Sequence, residues 1–589
     1  MNPYYPHLFE PLTIKGVTFR NRLFVAPHMM SHMDFNGRPD ESMIDFYAEK
    51  ARGGFAVVTL GDTPVDREHA ATNPRSFAVT PENQPKLAEI ARAIHAGGAL
   101  ASQELNHGGN VAFAGANRDA EQEGWEAWGP VEVHKVESGV LHGEPYEERI
   151  DIHGMTEADM NVVADHFADC AEILKNAGYD MVLIHGGHGW LMSQFMSSKV
   201  NRRTDMWGGD KLENRMRFPL LVIEKIREAV GPGFPIEYRL SGAEYVDGGY
   251  DIDECIEICK MLDGKVDMLY ISAGVHENHD AFVITHPSMF LPHGSNVHLA
   301  ASVKKHMKHT PVGCVGGIND PKMAEEIIVS GKADVVCMAR ELFADPFFPK
   351  KALSGHADDI TKCCRCFTCF AGFLTNRIAS CALNPVIGRE LDHRFSFCET
   401  TPKKVVVVGG GPGGMQAALT AKERGHDVTL IEKKDRLGGQ LLCEEFVPFK
   451  EDLYAYALQQ AKRVQAAGVD VRLNTAATPE MIEGLNPDVL ILAVGANQII
   501  PPIPGIDMPN VKTLEALHRN EPDLGDSVVI IGGGLVGSET AIYLDGLGKK
   551  VTVVEMKDDY APDANEMHKI GLEHEFTKNN VKFHLNTSA

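Results

Sequence analysis

The chain has 589 residues, 44% of them hydrophobic and 23% charged, with a formal net charge of -24. That length exceeds what one core holds and points to several domains. An acidic surface argues against nucleic acid and anionic membranes as partners, and no run approaches the roughly eighteen apolar residues of a membrane span. The N-terminal MNPYYPHLFEPLTIKGV has neither a basic nor an apolar signal region, so the expectation is a cytoplasmic protein. From residue 10 to about 350, short β-rich runs alternate with longer amphipathic stretches. The runs are RLFVAP (22–27), FAVVTL (55–60), ALASQEL (99–105), DMVLI (180–184), PIEYRL (235–240), DMLYIS (267–272), PVGCVGG (311–317) and ADVVCMAR (333–340). This order predicts an α/β fold that opens with a TIM (β/α)8 barrel, whose reactive groups gather at the C-terminal strand ends.

Chemistry is therefore expected just past each strand. His185 and His188 come after the fourth, where two imidazoles three apart can point together at one small polar group such as a carbonyl. The bland alternative is a pair of satisfied loop histidines. Gln103 lies on the third strand with His107 just beyond, and Arg239 near the end of the fifth would need an anionic partner if it faced the barrel mouth. The last two strands end in Gly316-Gly317 and Ala339-Arg340, where barrels commonly hold phosphate on backbone N–H groups.

Five of the twelve cysteines then fall within nineteen positions of KCCRCFTCFAGFLTNRIASC. Cys363, Cys366 and Cys369 are each separated by two residues, and Cys381 comes after eleven more, a spacing suited to a [4Fe-4S] cluster. A four-cysteine zinc site is the other reading. Cys364 is the extra thiol. After a charged linker, VVVVGGGPGGMQAALTAKERGHDVTLIEK sets Gly409, Gly411 and Gly414, with Gly413 beside them, between a buried strand and a helix, and Glu432 ends the next strand. That is a dinucleotide fingerprint, and Gly532, Gly534, Gly537 and Glu555 repeat it. ILAVGA (491–496) lies between the two. The order suggests an FAD domain with an NAD(P)H domain inserted.

The barrel motifs NRLFVAP (21–27), QELNHGG (103–109), HGGHGW (185–190) and NRRTDMWGGDKLENRMRF (201–218) resemble the old yellow enzyme flavoproteins. Within them the likeness is to the multidomain branch of 2,4-dienoyl-CoA reductase, trimethylamine dehydrogenase and gut-bacterial enoate and steroid reductases, and it spans the whole chain. It implies an FMN barrel with its substrate site over 1–360, an iron–sulfur segment over 361–400, an FAD-binding part over 401–500 and an NAD(P)H-binding part over 501–589. Pro27, Gly61, Gln103 and Arg239 would surround the flavin, with Arg239 at the N1/C2 side. Gly316, Gly317, Ala339 and Arg340 would hold its phosphate, and Gln440 would line FAD.

The implied activity is NADH-dependent reduction of an activated C=C bond in a small unsaturated carbonyl compound. Electrons would run from NADH to FAD, the cluster, FMN and substrate, since flavins in separate domains cannot exchange hydride directly. An amine dehydrogenase or demethylase, or a non-catalytic redox carrier, are the alternatives, and a homo-oligomer is compatible with any of them. Trp190 stands where ene reductases of this family usually carry a tyrosine that protonates substrate. An indole N–H is no acid at neutral pH, so His276 and His279 are the expected substitutes, because imidazole titrates near neutrality. Relatives would continue beyond NVKFHLNTSA to complete the NAD domain and return to the FAD domain, so a truncated sequence is expected.

Overall fold

The computed structural model describes residues 2–28, 33–34, 36–72, 76–112, 126–136, 150–374, 380–395, 401–517 and 524–589. It divides into two compact units, one of residues 1–391 with 565–571, the other of 392–564 with 572–589.

The first unit is built on a closed barrel of parallel strands in sequential order. They are β1 (Leu23–His28), β2 (Val57–Pro64), β3 (Leu100–Asn106), β4 (Met181–His185), β5 (Ile236–Ser241), β6 (Met268–Ser272), β7 (Val312–Cys314) and β8 (Val335–Met338). All eight expected runs are strands, displaced by a residue or two. Strands buried on both faces read as near-continuous apolar runs, which is why they stand out.

Side chains of alternate residues, among them Phe24, Ala26, Val57, Leu183, Tyr270, Val335 and Cys337, fill the barrel interior. Ile14 and Phe19, from the hairpin Leu12–Ile14/Val17–Phe19, join that cluster. Truncating the fully buried Phe19 would cost about 3–5 kcal/mol. Outside, the helix Glu157–Asn176 begins in a capping box of Thr156 and Asp159 and packs with Arg217–Val230. Among the described residues no helix is long and apolar enough to cross a membrane.

At the C-terminal end of the barrel the ladder is irregular. Register shifts fall between Val25 and His28 on β1 and between Leu60 and Thr63 on β2, and such bulges re-aim the chain beside a site. Gly61 sits there, and a Cβ on it would come within 2.6 Å of the His28 backbone nitrogen.

The second unit holds two parallel sheets. In the first, β9 (Lys404–Val408), β10 (Asp427–Ile431), β11 (Asp470–Arg472) and β12 (Val489–Leu492) pair in the order β11-β10-β9-β12, a dinucleotide-binding arrangement. In the second, β13 (Ser527–Ile531), β14 (Lys550–Val554) and β15 (Lys582–His584) pair in sequence order.

Candidate active site at the barrel mouth

A cavity of about 220 Å³ opens among the C-terminal strand ends. Of the residues singled out in the sequence, Pro27, Gly61, His185, His188, Trp190, Arg239, His276, Gly316, Gly317, Ala339 and Arg340 line it, and so do Cys363 and Cys369. Gln103 is fully buried in β3 and His279 is exposed at the start of the helix His279–Thr285; neither lines it.

One side of the cavity carries Arg239 and Arg340, with Gln103 buried in β3 behind it, polar groups held in place but not used up. Arg239 Nη1 donates to the buried Glu104 Oε1 at 3.0 Å, while Arg239 Nε, itself shielded from solvent, has no hydrogen-bond partner. Gln103 Nε2 donates to Thr63 Oγ1, leaving Gln103 Oε1 without a partner. Arg340 Nη2 donates to Pro287 O at 2.8 Å, and its Nη1 is unpaired.

Gly316 and Gly317 have φ of 134° and 67°, a region that favours glycine. A Cβ on Gly316 would meet Asn296 Cβ at 2.9 Å. Unsatisfied buried polar atoms in a folded protein require an explanation. A flavin has a polar pyrimidine edge and a phosphate, and these residues fit both.

The other side is a cluster of imidazoles. His185, the last residue of β4, and His188, whose φ of 61° turns the chain back, do not point in parallel at a shared target as the spacing suggested. Their rings meet edge to face, with His185 Nε2 and His188 Nδ1 2.8 Å apart. His188 Nε2 is 2.7 Å from Ser272 Oγ on β6, and its backbone N–H donates to Ser241 Oγ at 3.1 Å. Buried ring nitrogens satisfy one another when no nearer acceptor is present.

His185 Nδ1 lies 3.6 Å from Glu104 Oε1. His276 stacks on His188 with ring centroids 5.0 Å apart and on His286 at 5.1 Å. Trp190 stacks on His185 at 4.5 Å and donates through Nε1 to His276 Nδ1 at 3.2 Å.

Burial, then the charge of Arg239, pushes His276 down to about 3 and holds His185 and His188 well below the usual imidazole range. His276 is therefore neutral at pH 7. This corrects the expectation of a ring that titrates near neutrality, because burial is a tertiary property that spacing does not reveal.

The cysteines form the next layer. Burial pushes the Cys369 thiol up to about 12 and the Cys381 thiol up to about 11, with the neighbouring cysteines adding to it. Backbone N–H groups of Arg365 and Leu383 donate to the sulfurs of Cys363 and Cys381, each at 3.4 Å, and Thr368 Oγ1 lies 3.2 Å from Cys366 Sγ. Donors aimed at sulfur suit thiolates that ligate a cluster. Among the described residues no group of three or more His, Cys, Asp or Glu is set to hold a single metal ion; a four-iron cube spreads its thiolates over its corners. Cys364 is buried.

In the second unit both fingerprints close in the same way. Glu432 Oε2 accepts from Gly410 N at 2.6 Å, and Glu555 Oε2 accepts from Gly533 N at 2.6 Å. A Cβ on Gly414 would fall 1.8 Å from Gly409 O, and one on Gly537 2.0 Å from Gly532 O, so helix and loop touch only because glycine is there. Gly411 and Gly534 precede their helices at the N-cap, while Gly413 stands in open space. Gln440 Nε2 donates to Ala496 O at 2.8 Å.

A barrel mouth with Gly316, Gly317 and Arg340 at one edge, cysteines in the same lining and a second unit with two glycine fingerprints suit a flavin-dependent oxidoreductase. Residues 7–359 match the NADH:flavin oxidoreductase / NADH oxidase family and residues 403–589 the pyridine nucleotide-disulphide oxidoreductase family. The chain belongs to the NADH:flavin oxidoreductase / NADH oxidase family and is an enzyme of that class.

It is 37% identical over 583 residues to an NADH oxidase of Thermoanaerobacter brockii, spanning 98% of this chain and 86% of the relative. To a cinnamate reductase of Clostridium sporogenes it is 33% identical over 589 residues, spanning 95% and 84%. The solved structure of a 2-naphthoyl-CoA reductase complex with 2-naphthoyl-CoA superposes with a TM-score of 0.91 at 30% identity, covering 99% of this chain and 88% of that one. The old yellow enzyme resemblance and the barrel fold are thus borne out. The cofactors of this class are FMN for the barrel and FAD with NAD(P)H for the second domain, and relatives of this kind carry iron–sulfur clusters.

Several contributors escaped the sequence reading. Glu104, Ser272, His28, His286 and Arg365 all line the cavity. Ser272 and Glu104 were within reach of the strand-end rule, since one ends β6 and the other adjoins Gln103. His28, half-buried and pushed by desolvation down to about 3, comes directly after Pro27.

Proposed function

We propose that the chain is an NADH-dependent ene reductase that reduces an activated C=C bond of an α,β-unsaturated carbonyl compound. Its parts divide as 1–360, 361–400, 401–500 and 501–589. The observation that carries the reading is the neutral imidazole cluster of His185, His188 and His276, which shares one cavity with Arg239, Gly316, Gly317 and Arg340. FMN, when bound, would supply the hydride, with electrons drawn from NADH by way of FAD and the cluster.

The protein's own residues then have distinct tasks. Arg239, fixed by Glu104, favours negative charge at the flavin edge beside it. A carbonyl oxygen entering the cavity can replace His185 Nε2 as the acceptor for the His188 Nδ1–H. Neutral imidazoles stabilise the oxyanion that develops there as hydrogen-bond donors, without themselves carrying charge. Ser272 holds His188 from behind.

The test is anaerobic single-turnover oxidation of the dithionite-reduced full chain by enoates, acyl-CoA thioesters, enone steroids and flavonoids. One class should reoxidise the flavin, and replacing both His185 and His188 with Ala should slow that step by about one to two powers of ten. An undiminished rate in the double variant would refute the site. Reduction of the protein by a secondary or tertiary amine without NADH would instead identify an amine dehydrogenase.

A further inference from the structure

Two residues that flank Cys366 have left-handed backbones, Arg365 at φ 56° and Phe367 at φ 60°. Residues with a Cβ resist this region, so strain at two bulky, buried side chains points to something gained where they reach. Both reach the same place. The Phe367 ring lies against the Arg340 guanidinium, with Cζ 4.7 Å from its centroid. Arg365 Cδ stands 3.9 Å from where a Cβ on Gly317 would be, and Arg365 lines the cavity beside Gly316, Gly317 and Arg340. Its Nη1 donates to Leu291 O while Arg340 Nη2 donates to Pro287 O, so one loop holds both guanidinium groups. The carboxylate at this end, Glu341, accepts from Cys363 N at 2.8 Å.

We propose that Arg365 is a second guanidinium ligand for the FMN phosphate, supplied by the cysteine loop and not by the barrel. The proposal rests on reading Gly316, Gly317 and Arg340 as the phosphate subsite. A phosphate dianion matches two planar guanidinium forks and backbone N–H groups better than one. Because Arg365 occupies the spacer between Cys364 and Cys366, the loop that offers thiolates to the cluster also anchors the flavin. The conformation that places one favours the other, and by linkage the coupling is reciprocal.

Arg365→Gly suits the observed backbone and removes the whole side chain with its guanidinium; Arg365→Lys keeps the charge and most of the stem and loses the fork. The full chain, purified anaerobically and stripped of flavin, is titrated with FMN and with riboflavin, which lacks the phosphate, by flavin fluorescence. Arg365→Gly should weaken FMN by about ten- to a hundredfold, with Arg365→Lys between it and wild type, while riboflavin stays within about twofold. Iron content should not change.

Equal FMN affinity in wild type and Arg365→Gly overturns the proposal, and so does parallel weakening of FMN and riboflavin. If Arg365→Gly loses iron, the FMN-to-riboflavin ratio of Arg365→Lys decides, and an unchanged ratio overturns it. A wild-type protein that does not prefer FMN to riboflavin would refute the phosphate subsite itself, a failure distinct from that of Arg365.

Discussion

Trp190 Nε1–H donates to His276 Nδ1 across 3.2 Å, and both side chains are buried. With Nδ1 accepting, neutral His276 must carry its proton on Nε2. The indole, which is no acid at neutral pH, thus fixes a tautomer, and the imidazole expected to deliver a proton becomes a fixed hydrogen-bond donor.

Trp190→Phe keeps an aromatic face against His185 but releases His276 to exchange tautomers. Single-turnover flavin oxidation should slow about tenfold, the scale of one hydrogen bond, with flavin content unchanged. A rate within about twofold of wild type would remove the tautomer role.

The cluster prediction separates Cys381 from Cys364. Cys381 Sγ receives a backbone N–H from Leu383 at 3.4 Å, as a ligating thiolate would. Cys364 is 5% exposed, and its thiol is pushed well above its ordinary value, first by its hydrogen bond to Cys366 and then by burial. Cys381→Ser should lose iron and the broad visible absorbance, whereas Cys364→Ser should keep both. Four irons retained in Cys381→Ser would break the assignment.

How much of this was legible in the sequence depends on the range of the interactions involved. Runs such as DMVLI and ADVVCMAR show their strands because apolar residues and the turn residues around them are local signals. The positions of His185 and His188 at a strand end come from the same logic. Their orientation does not, because Ser241, Ser272 and Glu104 on three other strands set it. The neutrality of His276 depends on burial and on Arg239, neither of which has a one-dimensional signature. Arg365 reads as a spacer between cysteines until its backbone angle and its distance from Gly317 are known.

Coenzyme choice rests on Glu555. Its two oxygens accept from Gly533 N at 2.6 Å and Lys557 N at 2.8 Å, which pins the carboxylate at the glycine loop, where a ribose diol would bind. A 2′-phosphate there would meet like charge. Lys557 is the cation whose charge acts on Glu555, while Lys549 donates to Leu524 O at 3.2 Å. NADH should bind at least about tenfold more tightly than NADPH, and Glu555→Ser should narrow the ratio. Equal dissociation constants in wild type, measured by nicotinamide fluorescence, would show the reading to be wrong.

The buried histidines make the barrel acid-sensitive. Burial pushes His28, His107 and His276 down to about 3 and holds His185, His188 and His286 well below their ordinary value. In the unfolded chain each ring takes up a proton near its ordinary 6.5, whereas in the folded barrel His28, His107 and His276 resist until about 3. Between those limits the unfolded state binds more protons at these rings, so their contribution to stability falls as the pH drops, by about 1.4 kcal/mol per pH unit for each.

Above 6.5 the contribution of these rings vanishes. The described tryptophans, Trp128, Trp190 and Trp207, lie in the first unit, so their fluorescence tracks its unfolding in denaturant. The carboxyls of Glu237 and Glu277, pushed by burial up to about 8, and of Glu244, pushed up to about 7, take up protons on folding and oppose the rings over the same range, so the readout for flavin-free protein is the difference between wild type and a histidine variant at about pH 5.5 and 7.5. His107 lies outside the cavity, and its Nδ1 accepts a backbone bond from Gly109 N at 3.0 Å. His107→Gln can keep an acceptor without titrating and should flatten the slope by one ring's share, about 1.4 kcal/mol per pH unit. A slope that the substitution leaves untouched would mean that the His107 imidazole does not stay neutral in the folded barrel.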